Sequence, residues 1–199
     1  WELFSGLEIK KALPLGCVLT IPAAGSESSP HSVVTNEKGW YKRAIHSSLL
    51  APKFAILNPE LTFSLPDFQT ACGVSDIMAH LMERYFTKVQ KVDLTDRLIE
   101  ATLKSVIRNA LIVKDNPNDY DARAEIMWAG TIAHNDLLET GRVGDWGYHD
   151  VEHELSAIYD VAHGAGLSVI FPAWMKYVYH EHIRKFVQFF NRVFAVEID

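Results

Sequence analysis

The chain has 199 residues, 48% hydrophobic and 22% charged, with a formal net charge of −6. That is enough apolar material for a real core, which excludes disorder, and an acidic balance without a basic face excludes nucleic acid as a partner. Cys17 and Cys72 stand alone, which excludes a disulfide framework and suits a cytoplasmic protein. No apolar run reaches the ~18 residues of a membrane helix, so no membrane partner is expected.

The first sixty residues read as β-rich. "PLGCVLTIPAAGSES" (Pro14–Ser28) has the apolar run of a buried parallel strand ending in a small-residue loop. "HSVVTNEKGWYKRAIHS" reads as a hairpin about Gly39, and "KFAILNPE" as a second buried strand stopped by Asn58-Pro59. From Ser64, an expected N-cap with Pro66 near the first turn, the texture becomes helical. "TDRLIEATLKSVIRNALIVKD" is strongly amphipathic, with Leu98, Ala101, Leu103, Val106, Ala110 and Val113 near one face. The next helix follows a turn at Pro117 and meets a stop at Gly141. After "DWGYHDVEHELSAIYDVAHG" (Asp145–Gly164) come two helical segments, with bends expected near Pro172 and around His180. The division expected is residues 1–62, a partial α/β segment, and residues 63–199, a mostly α domain. Because the chain enters at Trp1 in mid-domain, it is expected to be shortened at the start.

Histidine and carboxylate spacings carry the chemistry. "DIMAH" sets Asp76 and His80 four apart on a helix, where their side chains share a face; a local Asp–His hydrogen bond would explain the pair equally well. His149 and His153 repeat that spacing, which a solvated helix face would also explain. "HDVEH" resembles the zincin H-E-x-x-H, but Asp150 holds the general-base position and is too short for it. His163 lies fourteen residues past His149, about 21 Å along an unbroken helix at 1.5 Å per residue. Both reach one ion only if the chain folds back, and the glycines of "HGAG" offer the means. Together Asp76, His80, His149 and His163 form a set of three nitrogens and one oxygen, suited to Fe²⁺ or Zn²⁺.

At this point the chain resembles the iron-containing (group III) alcohol dehydrogenases, in their butanol-dehydrogenase-like branch. The resemblance rests on "LTIPAAGSES", "LNPELTFSLP", "GVSDIMAHLMERYF", "EIMWAGTIAHNDLLETGRVGDW" and "HDVEHELSAIYDVAHGAGL", and runs along nearly the whole chain. It implies a dehydroquinate-synthase-like fold, with a Rossmann-like nucleotide segment before a helical metal-binding domain. It also implies that the family's Gly-rich pyrophosphate loop precedes Trp1 and that the family continues past Asp199. The family's metal ligands fall on Asp76, His80, His149 and His163. His153 matches a histidine associated with nicotinamide contact and proton relay, a role that suits an imidazole titrating near neutrality. Ala23, Ala24 and Ser26 fall on the cofactor loop, where the family usually has threonines, and Lys42 falls on a cofactor-contacting lysine. Lys42 reads equally well as a solvated hairpin residue.

The activity implied is hydride transfer between NAD or NADP and a short-chain primary alcohol or aldehyde, with Fe²⁺ as Lewis acid and Zn²⁺ or Ni²⁺ as substitutes after purification. Phe171, Trp174 and Tyr177 would line an alkyl pocket or pack the core. A homodimer is expected. Two alternatives stay open: a redox-inactive metal-binding remnant, and a dehydroquinate-synthase-like metal lyase, whose relatives place Glu where Asp76 stands.

Overall fold

The structure is a computed structural model and describes residues 1–198. β1 (Gly16–Val18) pairs in parallel with β4 (Phe54–Ile56). Between them lies the expected hairpin, β2 (His31–Asn36) antiparallel to β3 (Tyr41–His46), registered from His31 opposite His46 to Asn36 opposite Tyr41. Its turn needs two left-handed residues, Gly39 (φ 104°) and Trp40 (φ 58°). β1 and β4 are not the buried strands expected: Phe54 is 63% exposed and Ile56 51%. A two-stranded sheet with no layer on its face cannot bury them.

Six helices follow: α1 (Asp67–Tyr85), α2 (Asp93–Asp115), α3 (Tyr120–His134), α4 (Gly147–Tyr159), α5 (His163–Val178) and α6 (Ile183–Phe194). Pro66, not Ser64, holds the cap position of α1. This helix is the centre of the domain and packs against α2, α3 and α5. On α2 the buried stripe is Ile99, Leu103, Val106 and Val113, while Leu98 and Ala101 face solvent, against expectation. The stripe is rotated because Asp96 and Glu100 are buried too.

Asp119 caps α3, its side chain accepting from the Ala122 N–H at 2.9 Å. That helix ends at His134, well before Gly141, because Asp136 turns left-handed (φ 64°) into a short 3₁₀ turn. Between α5 and α6 a 3₁₀ turn at Tyr179–Glu181 supplies the break expected around His180, while α5 continues unbroken through Pro172.

Where α1, α5 and α6 meet, Phe86, Phe171, Phe186 and Phe189 stack with Tyr85 and Trp174. Tyr148 anchors α4 to this cluster and donates its hydroxyl to the Ala79 carbonyl. Beside it runs a buried polar seam. Asp96 receives Arg142 at 2.9 Å together with Lys185, and Tyr85 donates to Glu100 at 2.8 Å. Among the described residues no helix is long and apolar enough to cross a membrane.

Candidate metal centre

The centre is assembled from the buried faces of α1 and α4 and the first residue of α5. On α1, Asp76, His80 and Glu83 fall four and three residues apart and so share one face, turned inward. On α4 the inward face carries His149, Glu152, His153 and Ser156, while Asp150, Val151 and Glu154 point to solvent. The fold-back required for His163 is present. α4 ends at Tyr159, Asp160 adopts a left-handed conformation (φ 52°), and α5 starts at His163.

The glycines beside His163 therefore serve a different purpose from the expected hinge. A Cβ on Gly164 would stand 1.9 Å from the Cys72 carbonyl oxygen, and one on Gly166 would stand 2.5 Å from Glu152 Oε1. Both let α5 lie directly against its neighbours, which seats His163 over α1.

These elements bring three residues of the N₃O set together and place His80, the fourth, beside them. Donor atoms of Asp76, His149 and His163 lie within 4.8 Å of one another. The Nε2 atoms of His149 and His163 each stand 3.9 Å from Asp76 Oδ1. His80 closes the group, its ring centroid 4.3 Å from that of His149. Its Nδ1 is 2.9 Å from Asp76 Oδ1 and 3.0 Å from the Asp76 carbonyl, and the ring is aligned with the carbonyl. So Asp76 Oδ1 and His149 Nε2 are both buried without a hydrogen bond, an arrangement that strands polar atoms unless a cation takes them.

Two glutamates that the spacing argument passed over support the imidazoles from behind. Glu83 meets His149 Nδ1, and Glu152 accepts from His163 Nδ1. Both carboxylates are fully buried. A carboxylate on Nδ1 fixes the tautomer that turns the Nε2 lone pair inward, which is how metal-ligating histidines are oriented. Their signal in the sequence is position: Glu83 is seven residues after Asp76, and Glu152 three after His149.

Protonation favours the same chemistry. Burial works against charge on Asp76, but His80, His149 and His163 outweigh it and hold the carboxyl well below the usual range. Burial, with His149 beside it, pushes His80 down to about 4, leaving its imidazole neutral at physiological pH. Burial pushes Glu83 the other way, up to about 10, so it is a neutral acid that accepts from His149 Nδ1 through its unprotonated oxygen. An anionic carboxylate beside the neutral imidazole of His80 and two further imidazoles is a donor set for a borderline divalent ion, so the residues fit the metal that the spacing implied.

Around the centre, His153 is buried with its ring 5.4 Å from that of His163. Burial, then the charge of Lys42, then His163 push it down to about 3. It is therefore not an imidazole titrating near neutrality, as expected, but a weakly basic one that stays neutral. Lys42 is not a solvated hairpin residue. From β3 its ammonium donates to Ser156 Oγ at 2.8 Å and sits 3.8 Å from Glu152. Ala23 is half-buried, and Ala24 and Ser26 are exposed, on a loop whose Gly25 packs against His134. Of the three expected pocket aromatics, Phe171 is core, Trp174 is half-buried against it, and Tyr177 is 78% exposed. Trp146, absent from the expected set, touches the rings of His80 and His149 and lines a cavity of about 680 Å³ with Phe86, Trp174 and Val178.

Comparison with known proteins accords with this centre. A family model described as "Fe-containing alcohol dehydrogenase family, C-terminal" matches residues 70–197, and one described as "Iron-containing alcohol dehydrogenase" matches residues 2–59. The chain is 40% identical, over 100% of its length, to the probable NADH-dependent butanol dehydrogenase 2 of Bacillus subtilis, covering 51% of that protein. It is 38% identical to the NADPH-dependent aldehyde reductase YqhD of Escherichia coli, over 98% of this chain and 51% of that one. The crystal structure of NADH-dependent butanol dehydrogenase A from Thermotoga maritima superposes with a TM-score of 0.96 at 40% identity, covering 98% of this chain and 49% of that one. The chain thus spans about half the length of the curated relatives it matches.

Proposed function

Because this chain belongs to the iron-containing alcohol dehydrogenase family, we propose that it carries the metal centre of an NAD(P)-linked alcohol dehydrogenase or aldehyde reductase acting on short-chain primary alcohols and aldehydes. One observation carries the reading: Asp76, His149 and His163 converge, the Asp76 and His149 donor atoms buried and unsatisfied, and each of these two imidazoles is backed by a glutamate. Asp76, His80, His149 and His163 are assigned as ligands of a divalent ion, Fe²⁺ in the working protein, with Zn²⁺ or Ni²⁺ able to replace it. When bound, the ion supplies Lewis-acid polarisation of the substrate oxygen, and the nicotinamide of NAD or NADP supplies or accepts the hydride.

The chain's own residues do the rest. Glu83 and Glu152 hold His149 and His163 in register. His153, its ring 5.4 Å from that of His163, is assigned to relay the substrate hydroxyl proton to solvent. Lys42 and the loop bearing Ala23, Ala24 and Ser26 are assigned to the cofactor, with residues 1–62 as its binding segment and residues 63–199 as the catalytic domain. The setting proposed is cytoplasmic, in keeping with two free cysteines, and the assembly a homodimer.

The test is metal content after anaerobic reconstitution with Fe²⁺ on wild type and His163→Ala, followed by NADH and NADPH titrations. Near-stoichiometric iron in wild type, a sharp fall in the variant and saturable nicotinamide binding are expected. No iron in either protein refutes the reading.

A further inference from the structure

A second histidine-bearing group overlaps the centre. Donor atoms of Asp76, His80 and His134 lie within 4.8 Å of one another. His134 is the last residue of α3, is 3% exposed, and sets its ring centroid 4.0 Å from that of His80. Its Nδ1 donates to the Gly130 carbonyl at 2.7 Å, which fixes the tautomer and leaves Nε2 with its lone pair free. That Nε2 is buried and has no hydrogen-bond partner. If His134 were only core filling, an aliphatic side chain would occupy the space without stranding a nitrogen. The nitrogen is what needs explaining.

We propose that Asp76, His80 and His134 form a second position for a borderline divalent ion, displaced from the first toward the loop Ala23–Ser26. The displacement follows from the packing. Gly25 is left-handed (φ 65°) and lies so close to His134 that a Cβ there would stand 2.1 Å from the histidine Cβ. The two positions share Asp76 and His80, so they are alternatives for one ion and not a binuclear pair. The first uses His149 and His163, and the second uses His134 with its open coordination filled by water. Two nitrogens and one oxygen again select Fe²⁺, Zn²⁺, Ni²⁺ or Co²⁺ over Mg²⁺. The inference rests on the reading that Asp76 and His80 are metal ligands.

The experiment is a Co²⁺ titration followed by visible absorption on three proteins: wild type, His149→Ala/His163→Ala, and that pair with His134→Leu added. The double variant should still take up one ion per chain saturably, more weakly than wild type, and the triple variant should lose that uptake. A double variant that binds no ion, or a triple variant that binds as well as the double, overturns the proposal while leaving the primary centre standing. A wild type that binds nothing removes both. Should far-UV circular dichroism show the triple variant unfolded, the hyperfine-shifted ring N–H signals of the Co²⁺-loaded double variant decide. Two histidine rings are expected, and a single ring overturns the proposal.

Discussion

Gly164→Ala tests whether the crossing of α5 over α1 sets the geometry of the centre. An added Cβ would stand 1.9 Å from the carbonyl oxygen of Cys72, 2.6 Å from its carbonyl carbon and 2.8 Å from its Cα. All three are backbone atoms, so no side chain can swing aside. To reach the 3.4 Å of an ordinary contact, α5 must move off α1. His163 starts α5 and Asp76 lies on α1, so that movement also widens the 3.9 Å separation between His163 Nε2 and Asp76 Oδ1. Overpacking of this kind costs about 1–3 kcal/mol, and a clash with backbone alone, which cannot rotate away, places this case at about 3 kcal/mol. That is roughly a hundredfold in the folding equilibrium. Ligand constellations tolerate about 0.5 Å of displacement, so metal affinity should fall with stability. Urea denaturation and a Co²⁺ titration measure the two effects. Gly147→Ala, whose Cβ would approach only a side-chain oxygen of Asp145 at 3.1 Å, is the control and should cost far less than Gly164→Ala. A Gly164→Ala chain with wild-type urea midpoint and wild-type Co²⁺ affinity would refute the argument.

Glu152→Gln should keep the fold but weaken metal binding by about 10–100-fold, because the amide cannot match a carboxylate in holding His163 Nδ1; calorimetric titration with Zn²⁺ checks it, and unchanged affinity would remove Glu152 from the site. At Asp96, burial opposes the charge, but Lys185, Arg142 and Gln188 outweigh it and hold the carboxyl below its usual range. A depressed folded-state pKa means the stabilisation is complete above the unfolded value of about 3.9 and is lost as pH falls through the lower folded value. Asp96→Asn leaves Arg142 and Lys185 without their anion and should cost about 2–3 kcal/mol near neutral pH. Its urea midpoint should converge on that of wild type as pH drops below about 4, and a constant gap across that range would contradict the assignment.

What the sequence made legible, and what it hid, divides along physical lines. Residues four apart on one helix meet whatever the tertiary structure, so the pairing of Asp76 with His80 follows from spacing alone. The same logic extends to Glu83 and Glu152, which stand on those two inward faces and were readable as their continuation. His134 was not readable, because it comes from a different helix and meets His80 only through the packing of α3 on α1. The face of α2 misled for another reason. A hydrophobic stripe assumes that charges face water, whereas Asp96 and Glu100 are buried because Arg142, Lys185 and Arg192 reach them. With two carboxylates inside, the helix turns Leu98 and Ala101 outward. The exposed β1 and β4 show the converse: an apolar strand pattern fixes what a strand can bury, but only a covering layer buries it.

The glycines after His163 make the last distinction. In a sequence, Gly-Ala-Gly after a histidine invites a hinge, yet the reversal is made at Asp160, a residue type able to adopt the left-handed conformation through its short polar side chain. That releases both glycines to shape contact surfaces. Gly164 admits the α1 backbone, and Gly166 admits the carboxylate of Glu152, which must lie flat against α5 to reach His163 Nδ1. From the other side Lys42 approaches the same carboxylate at 3.8 Å, and Ser156 receives the ammonium at 2.8 Å. Among the described residues Glu152 is thus the one carboxylate touched by both His163, proposed as a ligand, and the lysine assigned to the cofactor. A side chain at position 166 would displace it from both partners at once, so the glycine is required by the site and not by the turn.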